Sequence, residues 1–308
     1  MPKLESHSDM SSERAAAARP PKGSFGRRAA WQFWHSRFGK TVDLPFPGFA
    51  EVEVRCFPDC AATGRLMHDG YFPDRHTATF LRRYLRRDDA VADIGANVGL
   101  VTLQMGALVG PNGRVDAFEP SSLMRRRLNE NLSLNRMVQV AVHPRMAGAE
   151  TRQARFADGS TKSGRRRPPL PIELATGVIG VDCTRLDDAL GERRYAAIRI
   201  DVAGQELSVL QGMTEMFREA NPPALLIALD EALGDYGLTP EQVMDWLAEH
   251  GYEIVLYDAD RHQIAYQATP WQRSRTVIAI ARAARNLVSR RLAGLDDTLH
   301  DPIFRYAG

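Results

Sequence analysis

The chain reads as an α/β protein built on a doubly wound sheet, mostly parallel, with an antiparallel hairpin at its C-terminal end. Three observations predict this. Short apolar runs recur at residues 90–94, 115–118, 138–142, 198–202 and 225–229, with helical stretches between them. That alternation is the pattern of parallel strands joined by crossover helices. The first run ends in the tight turn Gly95-Ala96-Asn97-Val98-Gly99, and the second ends on a carboxylate, Glu119. The last two apolar runs, 252–257 and 276–281, flank the turn-forming Asp258-Ala-Asp-Arg-His262.

In chain order, residues 1–28 are polar and close on Pro-Pro-Lys-Gly, the composition of a disordered arm. Residues 29–70 read as an N-terminal extension of helix and strand. Trp31, Phe33, Trp34 and Phe38 make an aromatic, basic, amphipathic stretch. Such a stretch either packs on the domain or makes a peripheral contact with a membrane surface or partner. Residues 49–57 alternate acid and apolar, as a strand with one wet face does. Residues 74–87 read as a helix with Phe80, Leu81, Tyr84 and Leu85 inward and its arginines outward. Residues 71–282 then form the main domain. After the first strand, 100–108 reads as a helix, and 240–250 as another, stopped by Gly251. Residues 151–171 turn polar and basic, with Arg165-Arg-Arg167, and read as a loop. That loop either attracts an anionic acceptor or is simply solvated. Residues 283–308 form a basic C-terminal helix and a loosely held tail.

The strand–turn–helix–strand–acid unit carries the chemistry. Glycines permit close backbone approach, a helix N-terminus offers unpaired N–H groups, and an acid about 20 residues on accepts hydrogen bonds from ribose hydroxyls. The dinucleotide pattern Gly-x-Gly-x-x-Gly is not met. Here Asp93 precedes Gly95, and Asn97 takes the middle place. A strand-end carboxylate repels a pyrophosphate and suits the ammonium and sulfonium of S-adenosylmethionine, which counts against a nicotinamide oxidoreductase. A tight turn in some other α/β protein without a cofactor is the plain alternative reading.

At this point the residues carry a resemblance. Asp93-Ile-Gly-Ala-Asn-Val-Gly99, Phe118-Glu-Pro120, Leu128-Asn-Glu-Asn131 and Leu134-Asn135 resemble the FkbM family of S-adenosylmethionine-dependent methyltransferases. So do Leu186-Asp-Asp188, Ile198-Arg-Ile-Asp201-Val-Ala-Gly204-Gln-Glu206 and Val209-Leu-Gln-Gly212. The match spans residues 70–281. The resemblance implies a class I methyltransferase fold, Rossmann-like, and O-methylation of a sugar, glycan or natural-product hydroxyl. It implies cofactor contacts from Asp93, Gly95, Ala96, Asn97, Gly99, Glu119 and Pro120. This chain departs from the family at Arg199, where a lysine is usual, and at Ala203, Ala228 and around Phe72, where acids are usual. The losses raise a second reading, a cofactor-binding but catalytically silent homologue acting as a partner or regulatory protein.

Asp201 ends the fourth strand of the main sheet, where open α/β sheets place their ligand crevice. It is the candidate catalytic residue, binding the acceptor or acting as base. Alternatively it orients the turn 202–205 through backbone N–H groups. Glu206 opens the next helix and reads as a capping residue. The eight histidines, among them His68, His76, His143 and His262, show no partner at a diagnostic spacing and read as structural.

A net charge of +2 argues against nucleic acid as the main partner. Cys56, Cys60 and Cys183 make neither a disulfide framework nor a zinc pattern, so no metal is expected and a reducing cytoplasm is the simplest compartment. No secretory signal or membrane span is read in the sequence. The implied partner is a small-molecule or glycan acceptor, and oligomeric state has no sequence signal.

Overall fold

The computed structural model describes residues 41–57, 59–69, 75–157, 178–229, 231–258, 261, 263–265 and 276–294. The N-terminal arm, the aromatic stretch 29–38, Phe72, Asp230, His262, residues 158–171 of the basic loop and the tail after residue 297 lie outside them.

The described strands are β1 (Val42–Pro45), β2 (Glu53–Cys56), β3 (Ala90–Ile94), β4 (Arg114–Phe118), β5 (Val140–His143), β6 (Met146–Ala147) and β7 (Arg152–Ala157). They continue with β8 (Val178–Thr184), β9 (Ala197–Ile200), β10 (Ala224–Ala228), β11 (Tyr252–Asp258), β12 (Gln263–Ala265) and β13 (Thr276–Ala281). The α-helices are α1 (Ala61–Asp69), α2 (Arg75–Tyr84), α3 (Leu100–Val109), α4 (Ser122–Leu134), α5 (Leu186–Leu190), α6 (Glu206–Gln211), α7 (Thr214–Arg218), α8 (Pro240–Glu249) and α9 (Arg285–Ala293).

The main sheet runs β5-β4-β3-β9-β10-β13-β11-β12. Pairing is parallel from β5 to β10. β13 enters antiparallel between β10 and β11. This is the strand order of a class I methyltransferase, with β12 added at one edge. The chain winds outward from β3 to β5, then returns to β9 and β10 on the other side. The winding therefore reverses between β3 and β9, and the crevice opens at their C-terminal ends.

Alternating strand residues face two cores. Val91, Val115, Ala117, Ala197 and Leu226 pack with α3 and α9 residues such as Leu103 and Val288. Ala92, Ile94, Phe118, Ile198 and Ile227 pack with Leu186, Val209, Phe217 and Val243 on the opposite face. Because both faces are covered, these strands read as nearly continuous apolar runs. The helix α3 is buried on most of its surface, and its sequence, LVTLQMGALV, is apolar all round.

The structure differs from the sequence reading at three places. β5 starts at Val140 rather than Val138, whose side chain is 88% exposed. β9 ends at Ile200, because Ala203 (φ 54°) and Gly204 (φ 97°) leave extended geometry and end the ladder. Residues 152–157 are not loop. They form β7, antiparallel to β8, and β6 completes a second sheet in the order β6-β8-β7. In β7 the inward Ala154 and Phe156 sit between exposed polar residues, Gln153 and Arg155 among them, and Ala154, Val181 and Cys183 share a small core. A charged composition masked a period-two pattern.

The hairpin β1–β2 is held to the domain by amide side chains of the Leu-Asn motif. Asn135 accepts from Glu53 N–H (2.8 Å) and donates to Glu53 C=O (2.7 Å). Asn131 accepts from Arg55 N–H (2.7 Å) and donates to Val98 C=O (2.8 Å). One turn apart, Asn131 within α4 and Asn135 at its C-cap, they act as a substitute strand edge for β2. At the other terminus, the fully buried Arg291 of α9 grips Asp89 at 2.7 and 3.0 Å, just ahead of β3.

Candidate functional site

The turn after β3 is shaped by its neighbours before any ligand is considered. Gly95 (φ 85°) and Ala96 both donate to the Phe118 carbonyl, at 2.9 and 3.0 Å. A Cβ on Gly95 would stand 2.2 Å from the Asp201 carbonyl oxygen. A Cβ on Gly99 (φ 91°) would stand 2.5 Å from Leu128 Cδ1. Both glycines are thus required by the approach of β9 and α4, in addition to any cofactor. Asn97 (φ 54°) closes the turn: its Oδ1 accepts from Val98 N–H at 2.8 Å.

Glu119, at the end of β4, is buried. Its Oε2 accepts from Asn97 N–H and its Oε1 from Ser121 N–H, each at 2.8 Å. The carboxylate therefore ties the β4 end to the glycine turn. Arg125 donates to the Glu119 and Pro120 carbonyls at 3.1 and 2.7 Å, fixing the backbone there. An ionised carboxylate has about four acceptor positions. Two of these are taken by backbone N–H groups.

Asp93 does not stand open to the crevice. It is fully buried, with Oδ2 accepting from Thr102 Oγ1 (2.6 Å) and Oδ1 paired with Arg199 (2.8 Å). Arg199 also pairs with Asp201, two residues on along the chain. Asp93 and Arg199 are partners in the β3–β9 register, so their side chains share one face of the sheet. The charge that the sequence assigns to a ligand is met here by Arg199. The resulting Asp93–Arg199–Asp201 row spans the reversal point.

Asp201 is partly buried, its side chain 13% exposed. The loop behind it is held by Glu206, which accepts from Val202 N–H (3.2 Å) and Gly204 N–H (3.0 Å). Glu206 is itself buried at the start of α6, and its bonds tie down the preceding loop; the N-cap of α6, Gln205, makes no side-chain cap bond, so the capping role read from the sequence is not the one seen. Tyr236, after β10, closes the outer side of this loop, accepting from Gln205 Nε2 at 3.0 Å. Ala203 lies in this loop, and Ala228 ends β10.

Sequence reasoning missed a polar cluster on the other face of the sheet. Asp116, buried in β4, takes bonds from His143 Nε2 (2.8 Å), Tyr195 Oη (2.8 Å) and Arg114 (2.7 Å). Burial raises the Asp116 pKa, but these three hydrogen bonds outweigh it and hold the carboxyl well below the usual carboxylate range. Burial and the same carboxylate push the Tyr195 phenol up. His143 ends β5 and stacks on Phe118, centroids 4.3 Å apart and planes at 15°. The signal for this cluster is register, which brings His143 opposite Phe118 and is invisible as sequence spacing.

Among the described residues, no group of three or more His, Cys, Asp or Glu could hold a metal ion, and no helix is long and apolar enough to cross a membrane. Cys56, Cys60 and Cys183 are free and buried.

A reversed parallel sheet, a glycine turn, and an acid at the neighbouring strand end define a nucleoside-cofactor-dependent α/β enzyme class. The model of the methyltransferase FkbM domain matches residues 93–254, just over half of the chain, and the protein belongs to that family. The family is one of S-adenosylmethionine-dependent methyltransferases. Among curated proteins, it is 26% identical over 204 residues to AMB antimetabolite synthetase AmbE of Pseudomonas aeruginosa. That alignment covers 54% of this chain but only 10% of the synthetase. Among solved structures, it resembles methyltransferase FkbM from Methylobacillus flagellatus at 20% identity and TM-score 0.37, covering 63% of this chain and 43% of that one. It also resembles Aeropyrum pernix fibrillarin, solved with bound S-adenosyl-L-methionine, at 16% identity and TM-score 0.37, covering 68% and 75%.

Proposed function

We propose that the protein transfers a methyl group from S-adenosylmethionine to a hydroxyl of a sugar, glycan or natural product. The observation that supports this best is Asp201 at the mouth of the β3–β9 crevice, held by Arg199 against the glycine turn. Kinship to an antimetabolite synthetase favours a natural-product acceptor.

Glu119 accepts from the ribose hydroxyls, and Pro120 walls that pocket. Gly95, Ala96 and Gly99 carry the backbone past the cofactor's amino-acid portion. Asn97, whose Oδ1 is committed to Val98, would have its amide NH2 to offer to the cofactor's carboxylate. Asp93 acts through Arg199, which it orients. Bound S-adenosylmethionine supplies a methyl already activated by the positive sulfur. The protein must set the acceptor oxygen in line with the methyl carbon and sulfur. Asp201 would accept the acceptor's O–H, align its lone pair and take the proton as the C–O bond forms and the methyl–sulfur bond breaks, the neutral thioether being the leaving group. The main domain covers residues 71–282, and its setting is the cytoplasm.

The replaced acids at Ala203 and Ala228 motivate a second reading, a silent homologue that binds cofactor without turnover. Transfer of labelled methyl to a panel of glycan and small-molecule hydroxyl acceptors separates the two. Methylated product supports the enzyme. Tight cofactor binding with no product from any acceptor, including extracts of the native host, would establish the silent homologue.

A further inference from the structure

We propose that Tyr236 is the acceptor platform: a neutral sugar ring stacks its C–H face on the exposed phenol ring and turns one hydroxyl to Asp201. The inference rests on the reading above that Asp201 meets the acceptor, and it adds the side chain that selects what is met there.

Strand order supplies the placement. The glycine turn follows β3, Asp201 follows β9, and residues 231–236 follow β10, so the three stand in that order along the C-terminal edge of the sheet. Backbone contacts close the row. Gly95 packs on the Asp201 carbonyl. Gly204, three residues after Asp201, packs on the next turn: a Cβ there would stand 2.7 Å from Tyr236 Cδ2 and 2.3 Å from the Ala232 carbonyl oxygen. With the methyl donor on one side of Asp201 and an aromatic ring on the other, the two bracket the place of the acceptor oxygen.

The ring is held in position. Its edge rests on Gly204, and its Oη accepts from Gln205 Nε2 at 3.0 Å. Tyr236 is nevertheless 43% exposed. Among the described residues the other exposed large apolar side chain is Val138, which lies just ahead of β5 at the opposite edge of the sheet. A tyrosine fixed in this way offers contact area at small cost in conformational entropy.

The surroundings select the ligand. The negative face of an aromatic ring attracts C–H groups polarised by neighbouring oxygens, and one side of a pyranose presents such groups. Glu231 and Asp235, exposed in the same helical turn, join Asp201 as carboxylates that accept from hydroxyl donors and repel an anionic ring. The shared chemistry is a neutral, hydroxyl-bearing ring, whether in a glycan or on a natural product.

Proton NMR on the full chain loaded with S-adenosylhomocysteine tests the platform. The probes are methyl and aryl glycosides of neutral hexoses, deoxyhexoses and pentoses, the methyl set standing for glycans and the aryl set for glycosylated natural products. Bound sugar C–H protons should shift upfield in the ring current, and glucose 6-phosphate should bind more weakly than the neutral sugars. Tyr236→Phe keeps the face and should hold affinity within about threefold, since it removes one modest hydrogen bond. Tyr236→Leu keeps apolar bulk without the ring and should abolish the upfield shift and weaken binding roughly tenfold or more. The upfield shift in wild type is a readout that needs no variant to fold. No glycoside bound by wild type, binding without the upfield shift, equal affinity in Tyr236→Leu, or a preference for catechol over every glycoside would overturn the proposal. Labelled-methyl transfer separates the two readings. Sugar bound with the upfield shift but never methylated removes the reaction and keeps the platform, whereas a sugar methylated by Tyr236→Leu at wild-type kcat/KM removes the platform and keeps the reaction.

Discussion

Removing the Glu119 carboxylate should damage both the turn and the cofactor site, by amounts that can be measured apart. The side chain is 7% exposed and accepts from two backbone N–H groups, each at 2.8 Å. A buried donor left without its partner costs about 1–3 kcal/mol. Two such donors set a range of about 2–6 kcal/mol, and water entering at the crevice edge brings Glu119→Ala toward the lower end. Urea unfolding followed by circular dichroism reads this loss as a lower midpoint at unchanged slope. The ribose contact is a separate quantity. A hydrogen bond to a charged group contributes about 1.5–3 kcal/mol, so affinity for S-adenosylhomocysteine should fall roughly tenfold to a hundredfold. Glu119→Gln fills the same volume but sets an amide donor against one backbone donor, so it should lose affinity with a smaller change in midpoint. An affinity within about twofold of wild type in both variants would refute the ribose role. An unchanged midpoint in Glu119→Ala would refute the loop-shaping role.

Asp201→Asn should lower turnover by about 10²–10⁴-fold while cofactor affinity stays nearly constant, read by labelled-methyl transfer and calorimetry; equal turnover would remove Asp201 from the chemistry. Arg291→Met strands the buried Asp89 carboxylate and should cost about 3–5 kcal/mol of stability in urea unfolding. Because the folded Asp116 pKa is depressed, its contribution to stability is complete above the unfolded value of about 3.9 and is lost as pH falls through the folded one. Asp116→Asn should therefore flatten acid unfolding in that window, and a curve as steep as wild type's would argue against the network. Burial pushes the Cys56 thiol up to about 12, so Cys56 should resist thiol reagents at neutral pH until the protein is unfolded, as peptide mapping of the labelled protein would show.

How much was legible follows from which signals are local. Strands β3 and β13 and the start of α8 at Pro240 stand where the sequence reading places them, because strand burial and helix starts are written within a few residues; the Thr239 capping box at that start is seen in the structure. The glycine turn and Glu119 were legible for the same reason: a turn of fixed geometry between a strand and a helix demands particular residues in sequence.

The amino-acid sequence by itself determined the sheet class, the strand–glycine turn–helix unit and the family, since each depends on short-range pattern. The tertiary structure alone decided the partners of the charges. Asp93 faces Arg199 because β9, more than a hundred residues later, lies beside β3 in a particular register. His143 meets Asp116 because β5 pairs with β4, and Tyr195 joins them from the loop before β9. The β6-β8-β7 sheet was hidden because its outward residues are charged, and only pairing with distant strands buries the alternate ones. In water a lone carboxylate or histidine has no assigned role. Burial and register give it a fixed partner, and that partner decides whether its charge is spent inside the protein or offered to a ligand.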